Sequence, residues 1–396
     1  MLPITDSFEY DYRGCDLRYG RGSVADLGTY LRERHHENAL IVCGSNVGAN
    51  DALMQPIRDG LGDRLASVYD GTTPEKQAES AFDVVQTMRD EDAEVLVGVG
   101  GGSSLDVARQ ASVFAPDGRS LSDLREEARE GTIRPPTPDD DRPPVVVIPT
   151  TFAGADVSDS GSIEVFSAEE SPTGQPVSVN GYEMPIANFA DPELFETTPN
   201  GVLAGSAMNG FNKGIETLYS RGASPVSDAT AIHGLRVLGS SLPRLFTDSP
   251  NASAMDRAVA GAILVQLNRK LSIIHAFGHG LARRYPLQQG VAHAVLTPHV
   301  LRYLLDEVDA RRELLGAALG VDDTSTAELD VAVLDAVTEI RDSLGLPTRL
   351  RSLPVTDESD IPAIATFVLG DGPMASAPTE LDPTQDEIEA VLRAAW

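Results

Sequence analysis

Short apolar segments alternate with amphipathic segments along the first half of the chain. Runs rich in valine and isoleucine lie within residues 39–46, 95–99 and 145–151. Continuous apolar runs of this length are typical of strands buried on both faces of a parallel sheet. Residues 74–90 lie between the first two runs and place apolar side chains at helical spacing. The alternation predicts βαβ units around a parallel sheet.

The pattern changes near residues 191–194, where Asp-Pro-Glu-Leu marks a boundary. Before it, residues 115–144 are predicted to be a surface excursion and residues 160–190 a hairpin. After it, the apolar spacing predicts helices at 201–220, 225–246, 252–282, 290–317, 328–345 and 382–395. The sequence therefore predicts an α/β domain over 1–192 and an all-α domain over 193–396. We expect a functional site in the cleft between them.

A run of glycines ends the strand at 95–99. Its members are Gly100, Gly101 and Gly102. Ser103 is the predicted N-cap of a helix over 105–114. A strand, a glycine turn and a helix N-terminus together form an anion site, because glycine lets a ligand approach the free N–H groups. The expected ligand is a phosphate or pyrophosphate, although the pattern is neither GxGxxG nor a Walker loop. The alternative is a turn that binds nothing.

Composition predicts a cytoplasmic protein with well-formed cores. The chain has 396 residues, of which 41% are hydrophobic, and it contains no run of 18 apolar residues. The first residues lack the basic start and apolar core of a signal peptide. Cys15 and Cys43 are too few for a disulfide framework or a cysteine-based zinc site.

The charge balance is strongly acidic. The net charge is −29, and only three lysines accompany 28 arginines: Lys76, Lys213 and Lys270. Such a surface repels nucleic acid and anionic membranes. Excess acid with scarce lysine predicts halophilic adaptation, since high salt screens charge repulsion. The alternative, an acidic interaction surface, is disfavoured because the charge is spread along the chain.

Several motifs together resemble the iron-containing (group III) alcohol dehydrogenase family. They lie at 100–106, 149–151, 191–194 and 275–299. The resemblance implies a dehydroquinate synthase-like fold, with a Rossmann-like dinucleotide-binding domain followed by a helical domain. It also implies a catalytic divalent metal in the cleft between them, and hydride transfer between NAD(P) and an alcohol or carbonyl compound.

The chain departs from this family at the metal. The family ligands are an aspartate, a histidine four residues later on the same helix, and two further histidines. The corresponding positions here are Asn209, Lys213, His275 and Gln289. An amide is a weak ligand, and an ammonium cannot ligate while it is protonated. We therefore predict no metal binding. The alternative for Asn209 and Lys213 is an exposed helix face.

Maleylacetate reductases, a branch of the family, are more similar in motif. The similar stretches are 148–156, 208–209, 271–279 and 293–299. That branch reduces an unsaturated acidic ketone with NAD(P)H and is not thought to need the metal. It keeps a histidine at the position of Lys213, so the substrate does not carry over directly.

Hydride transfer to a ketone needs stabilisation of the developing alkoxide and a proton. We hypothesise that the Lys213 ammonium replaces the metal, with Asn209 as a neutral donor. His275 and His279 are four residues apart on one helical face, and either could donate or relay the proton. The alternative for each is a core histidine. Arg283 and Arg284 could bind a carboxylate substrate, although a solvated helix end is the simpler interpretation.

The resemblance also implies the cofactor-binding residues. The glycine turn with Ser103 would hold the pyrophosphate, with Asp106 near the nicotinamide side. The adenine or ribose side would be lined by Thr150, Thr151 and Phe152. The first strand ends in Gly44, Ser45 and Asn46 rather than in a carboxylate, so NADP is expected to be at least as good as NAD.

The leading prediction is an NAD(P)-dependent, metal-independent oxidoreductase acting on a small alcohol or carbonyl compound, as a homodimer or larger homo-oligomer. Dehydroquinate synthases and glycerol-1-phosphate dehydrogenases have a related architecture, but they too need a metal. A degenerate nucleotide-binding subunit without catalysis and a metal-dependent alcohol dehydrogenase of the same family remain the alternatives.

Overall fold

A computed structural model describes residues 14–134, 136, 141–171, 174, 176–247, 252–321 and 326–396. The chain divides between Thr198 and Pro199 into two compact units, here called the N-terminal and the C-terminal unit. The domain boundary predicted from the sequence lies six residues earlier, between residues 192 and 193.

The N-terminal unit is built on strands that follow the predicted apolar runs. They are β1 Asp16–Tyr19, β2 Ala39–Gly44, β3 Leu65–Thr72, β4 Val95–Gly100, β5 Val145–Pro149, β6 Ser160–Phe166, β7 Val177–Tyr182 and β8 Ala187–Ala190. Six of them form one parallel sheet in the order β1-β8-β5-β4-β2-β3. The other two form the predicted hairpin, in which β6 pairs antiparallel with β7. The α/β fold class is confirmed.

Helices cover both faces of this sheet. They are α1 Leu27–Glu33, α2 Ser45–Gly48, α3 Asp51–Leu61, α4 Ala78–Asp90, α5 Gly102–Phe114, α6 Leu121–Glu130 and α7 Pro192–Phe195. Alternate residues of a strand point to opposite faces. Leu40 and Val42 accordingly pack with residues of α4 and α5, whereas Ile41 packs with residues of α1 and α3.

Helices make up the regular structure described in the C-terminal unit, as predicted. They are α8 Asn200–Tyr219, α9 Pro225–Ser241, α10 Ala252–Leu267, α11 Ile273–Arg284, α12 Gln289–Glu307, α13 Arg312–Leu319, α14 Thr326–Ser343, α15 Ile361–Gly370 and α16 Gln385–Ala394. Of the helices in the described residues, none is both long and apolar enough to cross a membrane.

Two helices predicted as continuous are interrupted. The predicted helix 252–282 is two helices, because the backbone N–H of Lys270 leaves the helical ladder and donates to Thr217 Oγ1 at 2.9 Å. The predicted helix 290–317 breaks where Ala310 and Arg311 adopt positive φ angles of 49° and 52°. The Arg311 guanidinium there binds Asp228, with Nη1 3.0 Å from Oδ1. Both breaks depend on long-range contacts that local periodicity does not contain.

One further prediction was wrong, and two others gain detail from the structure. Ser103 is not the N-cap of α5: Gly101 is, and the Ser103 hydroxyl instead donates to the carbonyl of Pro74 at 3.3 Å. Residues 45 and 46, at the end of the run predicted to be a strand that ends in a turn, begin the short helix α2. The excursion at 115–144 contains α6, which begins at a capping box formed by Ser120 and Asp123. Residues 135 and 137–140 of that excursion lie outside the described residues.

Candidate functional site

The glycine turn lies at the carboxyl end of β4. Gly100 has φ +126°, which L side chains rarely adopt, and Gly101 is the extended N-cap of α5. No side chain among the described residues caps this helix, so its first N–H groups stay available. A Cβ on Gly101 would stand 3.5 Å from the Thr151 methyl group, and one on Gly102 would stand 3.4 Å from Ala155 Cβ. The turn therefore has the open backbone of an anion cradle.

Asp106 lies one turn into α5 and is held by two cations. Its Oδ2 accepts from Lys76 Nζ at 2.7 Å, and its Oδ1 accepts from Arg109 Nη1 at 2.9 Å. Arg109 is fully buried, and this burial lowers the pKa of its guanidinium, while Asp106 acts in the opposite direction. Lys76 itself adopts φ 56°. Asp106 thus anchors one of the three lysines beside the glycine turn, a contact that sequence reasoning missed.

The three residues predicted to line the adenine or ribose side differ in their exposure to solvent. The Thr150 N–H donates to the Gly100 carbonyl at 3.0 Å, and Thr150 is 3% exposed. Phe152 is 1% exposed and packs on Phe195 with ring centroids 5.3 Å apart. Only Thr151 is partly exposed, and it lies against Gly101. Thr150 therefore supports the turn from the core, whereas Phe152 packs against α7.

A carboxylate from the neighbouring strand β3 lies near the end of β2, although β2 itself does not end in one. Ser45 and Asn46 are exposed, and a Cβ on Gly44 would stand 3.1 Å from the Thr72 carbonyl. Asp70 of the neighbouring strand β3 reaches α2, where a Cβ on Gly48 would stand 3.3 Å from its Oδ2. The sequence of β2 alone does not indicate this side chain, because helices α2 and α3 separate β2 from β3 along the chain.

In the C-terminal unit, α8 carries a polar face that is buried. Asn209, Lys213 and Glu216 follow one another at intervals of four and three residues, so they share one side of the helix. Asn209 and Lys213 are each 8% exposed, and Glu216 is fully buried. The alternative of an exposed helix face is therefore wrong. Glu216 was missed, although its spacing from Lys213 was a usable signal.

Glu216 holds His275 at the N-terminus of α11. Its Oε1 accepts from the His275 backbone N–H at 2.9 Å, and its Oε2 shares a hydrogen bond with His275 Nδ1. Burial raises the pKa of Glu216 to about 8, while backbone N–H groups at this helix start oppose the shift. The carboxyl group fixes both the position and the ring orientation of His275.

The amides at 209 and 289 extend this chain of contacts. His275 Nε2 lies 3.1 Å from Asn209 Oδ1, and Asn209 Nδ2 donates to Gln289 Oε1 at 3.4 Å. The backbone of α12 approaches α8 closely here, since a Cβ on Gly290 would stand 1.7 Å from the Gly205 carbonyl oxygen. The structure thus brings Asn209, His275 and Gln289 together, as the motif positions implied.

The Lys213 ammonium faces the same cluster. Its Nζ donates to Gln266 Oε1 of α10 at 3.2 Å. Burial lowers the pKa of His275 and of His293 well below the ordinary value of 6.5, and the Lys213 charge lowers both further. The cluster therefore combines a buried cation with two neutral imidazoles. Gln266 was not foreseen, because nothing in its local sequence distinguishes it.

His279 lies one turn after His275 and has a different environment. Its ring centroid is 6.1 Å from that of His275, and its Nδ1 lies 2.7 Å from Asp371 Oδ2. The His279 side chain is 35% exposed, whereas that of His275 is 2% exposed. The segment after α15 supplies Asp371, which sequence reasoning did not single out.

His293 completes the group from α12. It is fully buried, and its ring centroid lies 4.5 Å from that of His275. Among the described residues, neither of its ring nitrogens has a hydrogen-bond partner. Gly278 makes room for it, because a Cβ there would stand 2.1 Å from His293 Nε2.

The side chains of this cluster do not fit a divalent metal. Within the described residues, no group of three or more His, Cys, Asp or Glu side chains is arranged to hold a metal ion. Asn209 and Gln289 offer weak amide donors, and the ammonium of Lys213 repels a cation. His275 alone keeps the family's residue type.

Arg283 and Arg284 lie at the exposed end of α11. Arg284 Nη2 donates to Asp360 Oδ1 at 2.8 Å, and the Arg283 guanidinium lies 5.1 Å from the ring centroid of Phe367. This arrangement is that of a solvated helix end, the simpler of the two interpretations.

The fold is that of a known class of oxidoreductase. The family model described as iron-containing alcohol dehydrogenase matches residues 16–174, and the one described as the C-terminal part of the Fe-containing alcohol dehydrogenase family matches residues 203–396. The chain therefore belongs to the iron-containing alcohol dehydrogenase family, and it is an oxidoreductase. The resemblance predicted from the motifs is confirmed.

Relatives match along nearly the whole chain. The 1,3-propanediol dehydrogenase of Klebsiella pneumoniae is 28% identical over 393 residues, which are 96% of each protein. The NAD-dependent methanol dehydrogenase of Bacillus methanolicus is 26% identical over 354 residues, 87% of this chain and 89% of the relative. The crystal structure of maleylacetate reductase from Rhizobium sp. strain MTP-10005 shares the fold, with a TM-score of 0.78, 22% identity, and coverage of 99% of both chains.

Proposed function

We propose that the chain is an NAD(P)-dependent oxidoreductase that passes hydride between a nicotinamide cofactor and a small alcohol or carbonyl compound without a catalytic metal. The observation that carries this proposal is the buried ammonium of Lys213 in the cluster that also holds Asn209 and His275. The NAD-dependent relative from Bacillus methanolicus supports the choice of cofactor.

The cofactor half of the proposal rests on the open glycine turn. Gly101 and Gly102 present backbone N–H groups at the start of α5, where a pyrophosphate gains hydrogen bonds and a favourable helix dipole. Ser103 borders the same turn. When bound, the nicotinamide supplies or accepts the hydride. NADP is expected to serve at least as well as NAD, although Asp70 lies near the end of β2.

The catalytic half rests on charge. A carbonyl oxygen becomes negative as it is reduced, and a preorganised cation or hydrogen-bond donor in a water-poor site stabilises that charge. The Lys213 ammonium provides the cation, and the Asn209 amide provides a neutral donor. An acidic ketone is one substrate class to include, because maleylacetate reductase shares the fold.

A direct assay in molar salt tests the proposal. NADPH or NADH absorbance is followed with a panel of aldehydes, ketones and unsaturated acidic ketones, with and without chelator, alongside metal analysis of the purified protein. We expect turnover that the chelator leaves intact. Loss of turnover on chelation, restored by iron or zinc, would identify a metal-dependent alcohol dehydrogenase instead. Tight NADPH binding with no turnover of any carbonyl would favour a non-catalytic nucleotide-binding subunit.

Lys213→Met tests the role of the ammonium. We expect kcat to fall about 10²–10³-fold, as when a preorganised stabiliser of developing negative charge is removed, with little change in NADPH affinity. Lys270→Met is the matched control, because the Lys270 side chain packs beside Gly222. Undiminished turnover in Lys213→Met would contradict the mechanism.

Gly101→Ala tests the cofactor turn. The added methyl group would make ordinary contact with Thr151 at 3.5 Å, so we expect the fold and the Tm to be preserved. It would also keep a phosphate from the backbone, and we expect NADPH affinity to fall about tenfold or more, which corresponds to about 1.4 kcal/mol. Fluorescence titration with NADPH measures this. Unchanged affinity would show that the dinucleotide binds elsewhere.

A further inference from the structure

We propose that His279 exchanges the proton with the substrate oxygen and that Asp371 is its positioning residue. This inference rests on the proposed function, since it names the proton donor for that same reaction. The observation behind it is that α11 carries two carboxylate–imidazole pairs, one sealed and one open.

The sealed pair cannot deliver a proton outward. His275 is 1% exposed, and both of its ring nitrogens are occupied, Nδ1 by Glu216 and Nε2 by Asn209 at 3.1 Å. A proton donor must reach its acceptor within hydrogen-bond distance and must be recharged afterwards. His275 therefore acts as a fixed part of the cluster.

The open pair is accessible from solvent, so it can be recharged. Asp371 Oδ2 lies 2.7 Å from His279 Nδ1, and the histidine side chain is 35% exposed. Among the described residues, none makes a hydrogen bond with His279 Nε2. A carboxylate at Nδ1 selects the tautomer with the proton on that nitrogen and directs Nε2 outward, as the orienting group does in other acid–base pairs.

The proton step balances as follows. In the direction of reduction, doubly protonated His279 donates the Nε2 proton to the alkoxide oxygen, so an N–H bond breaks and an O–H bond forms. The imidazolium becomes a neutral ring, whose remaining proton stays on Nδ1 and is donated in a hydrogen bond to Asp371. The alkoxide becomes the alcohol. Nε2 then regains a proton from water, which its partial exposure permits.

The titratable and charged side chains around this pair come from the elements packed on α11. Helix α8 contributes Glu216 and the Lys213 ammonium, and α12 contributes His293. Helix α15 and the short 3-10 helix Gly372–Ser376 carry no titratable side chain, and Asp371 lies between them. His275 and Arg283 are the titratable neighbours on α11 itself. Asp371 is therefore the only carboxylate among these that contacts the His279 ring.

Substitution of Asp371 by asparagine tests the role of the carboxylate. We expect Asp371→Asn to lower kcat about 10²-fold, the scale of a general acid–base contribution, with KM for the carbonyl compound changed about twofold or less. Asp371→Glu, which keeps the carboxylate, should restore part of kcat. Asp342→Asn, which removes a half-exposed carboxylate paired with its neighbour Arg341, is the control.

A merely structural role would give a different result. A fall in Tm with kcat lowered equally in Asp371→Asn and Asp371→Glu would overturn the inference, as would wild-type kinetics in Asp371→Asn.

A second measurement does not depend on turnover. In ¹⁵N-histidine NMR spectra, the His279 signal is identified by its loss in His279→Gln. We expect the wild-type ring to hold its neutral-state proton on Nδ1 and the Asp371→Asn ring to lose this preference. The same tautomer mixture in both proteins would overturn the inference even if the wild-type protein reduces no carbonyl compound. A wild-type protein without turnover but with the Nδ1 preference would reject the proposed function and leave the pairing of His279 with Asp371 standing.

Discussion

At the scale of single residues, the candidate site is defined by what replaces the expected ligands. Asn209 and Lys213 lie on a buried face of α8, so neither side chain is exposed to solvent as it would be on a surface helix. Lysine is used three times in 396 residues, and one of these is buried beside two imidazoles. A lysine so placed costs desolvation energy, which function can offset in a way that stability alone does not.

Glu216→Gln is expected to change how stability depends on pH. Burial raises the pKa of Glu216 from 4.5 to about 8, so between these pH values the folded protein binds one proton more than the unfolded chain. The free energy of unfolding of the wild type therefore loses up to about 1.4 kcal/mol per pH unit as the pH rises through this window. Glutamine keeps the hydrogen bonds and cannot ionise, so the variant should gain relative to the wild type as the pH rises.

Urea denaturation of both proteins at several pH values from about 5 to 8 measures this difference. His275 titrates in the opposite sense, but it is present in both proteins and largely cancels. Glu339→Gln, on the exposed side of α14, is the control and should show no such trend. A constant difference between wild type and Glu216→Gln across the window would refute the assignment of a raised pKa.

At the scale of elements, close helix packing positions the cluster. Helices α8, α11 and α12 each contribute a residue to the contacts around His275, and glycines stand where these helices meet. Gly290 brings α12 against α8, and Gly278 leaves the space that the His293 ring fills. Small residues at such positions set the interaxial distance, and larger ones would force the helices apart.

Gly278→Ala is therefore expected to destabilise the C-terminal unit. The new Cβ would stand 2.1 Å from Nε2 of the fully buried His293 ring. Overpacking of this kind costs about 1–3 kcal/mol, which outweighs the higher helix propensity of alanine. Gly239→Ala in α9 is the matched control, because nothing lies within 4 Å of its Cβ position. It should stabilise by up to about 1 kcal/mol. Thermal denaturation of both variants decides between these outcomes, and equal Tm changes of the same sign would count against the packing argument.

At the scale of the whole molecule, the charge of −29 is the dominant property. Sixty acidic residues face 31 basic ones, and many of the basic residues are committed to ion pairs such as Arg311 with Asp228 and Arg312 with Asp330. The remaining like charges repel one another in the compact state. We propose that the protein is adapted to high salt.

The melting temperature is expected to rise steeply with KCl. The Debye length falls from about 10 Å at 0.1 M to about 3 Å at 1 M, so added salt screens repulsion that folding concentrates. Thermal scans across this range at constant pH give the trend, and parallel scans in glycerol separate screening from general exclusion of the co-solvent. A Tm that is flat or falling with KCl would be the contrary result.

The parallel sheet, the hairpin and the helical second half could be predicted from the sequence, because each depends on a local pattern. The apolar runs at 39–46, 95–99 and 145–151 form central strands of the sheet, because consecutive apolar residues make both faces of a strand apolar. The positions of Asn209, Lys213, His275 and Gln289 followed from motif spacing. Helix ends were less predictable: α10 and α11 separate where Lys270 meets Thr217, more than fifty residues away along the chain.

What the sequence by itself determined is the fold family, the glycine turn and the loss of the usual ligand set, because each is written in consecutive or regularly spaced residues. Only the tertiary structure decided which carboxylate meets which imidazole. Glu216 and Asp371 come from different helices and loops, and their partners are neighbours only after α8, α11 and the segment after α15 have packed. The burial that raises the pKa of Glu216 and lowers that of His275 likewise exists only in the folded chain, since desolvation is a property of packing.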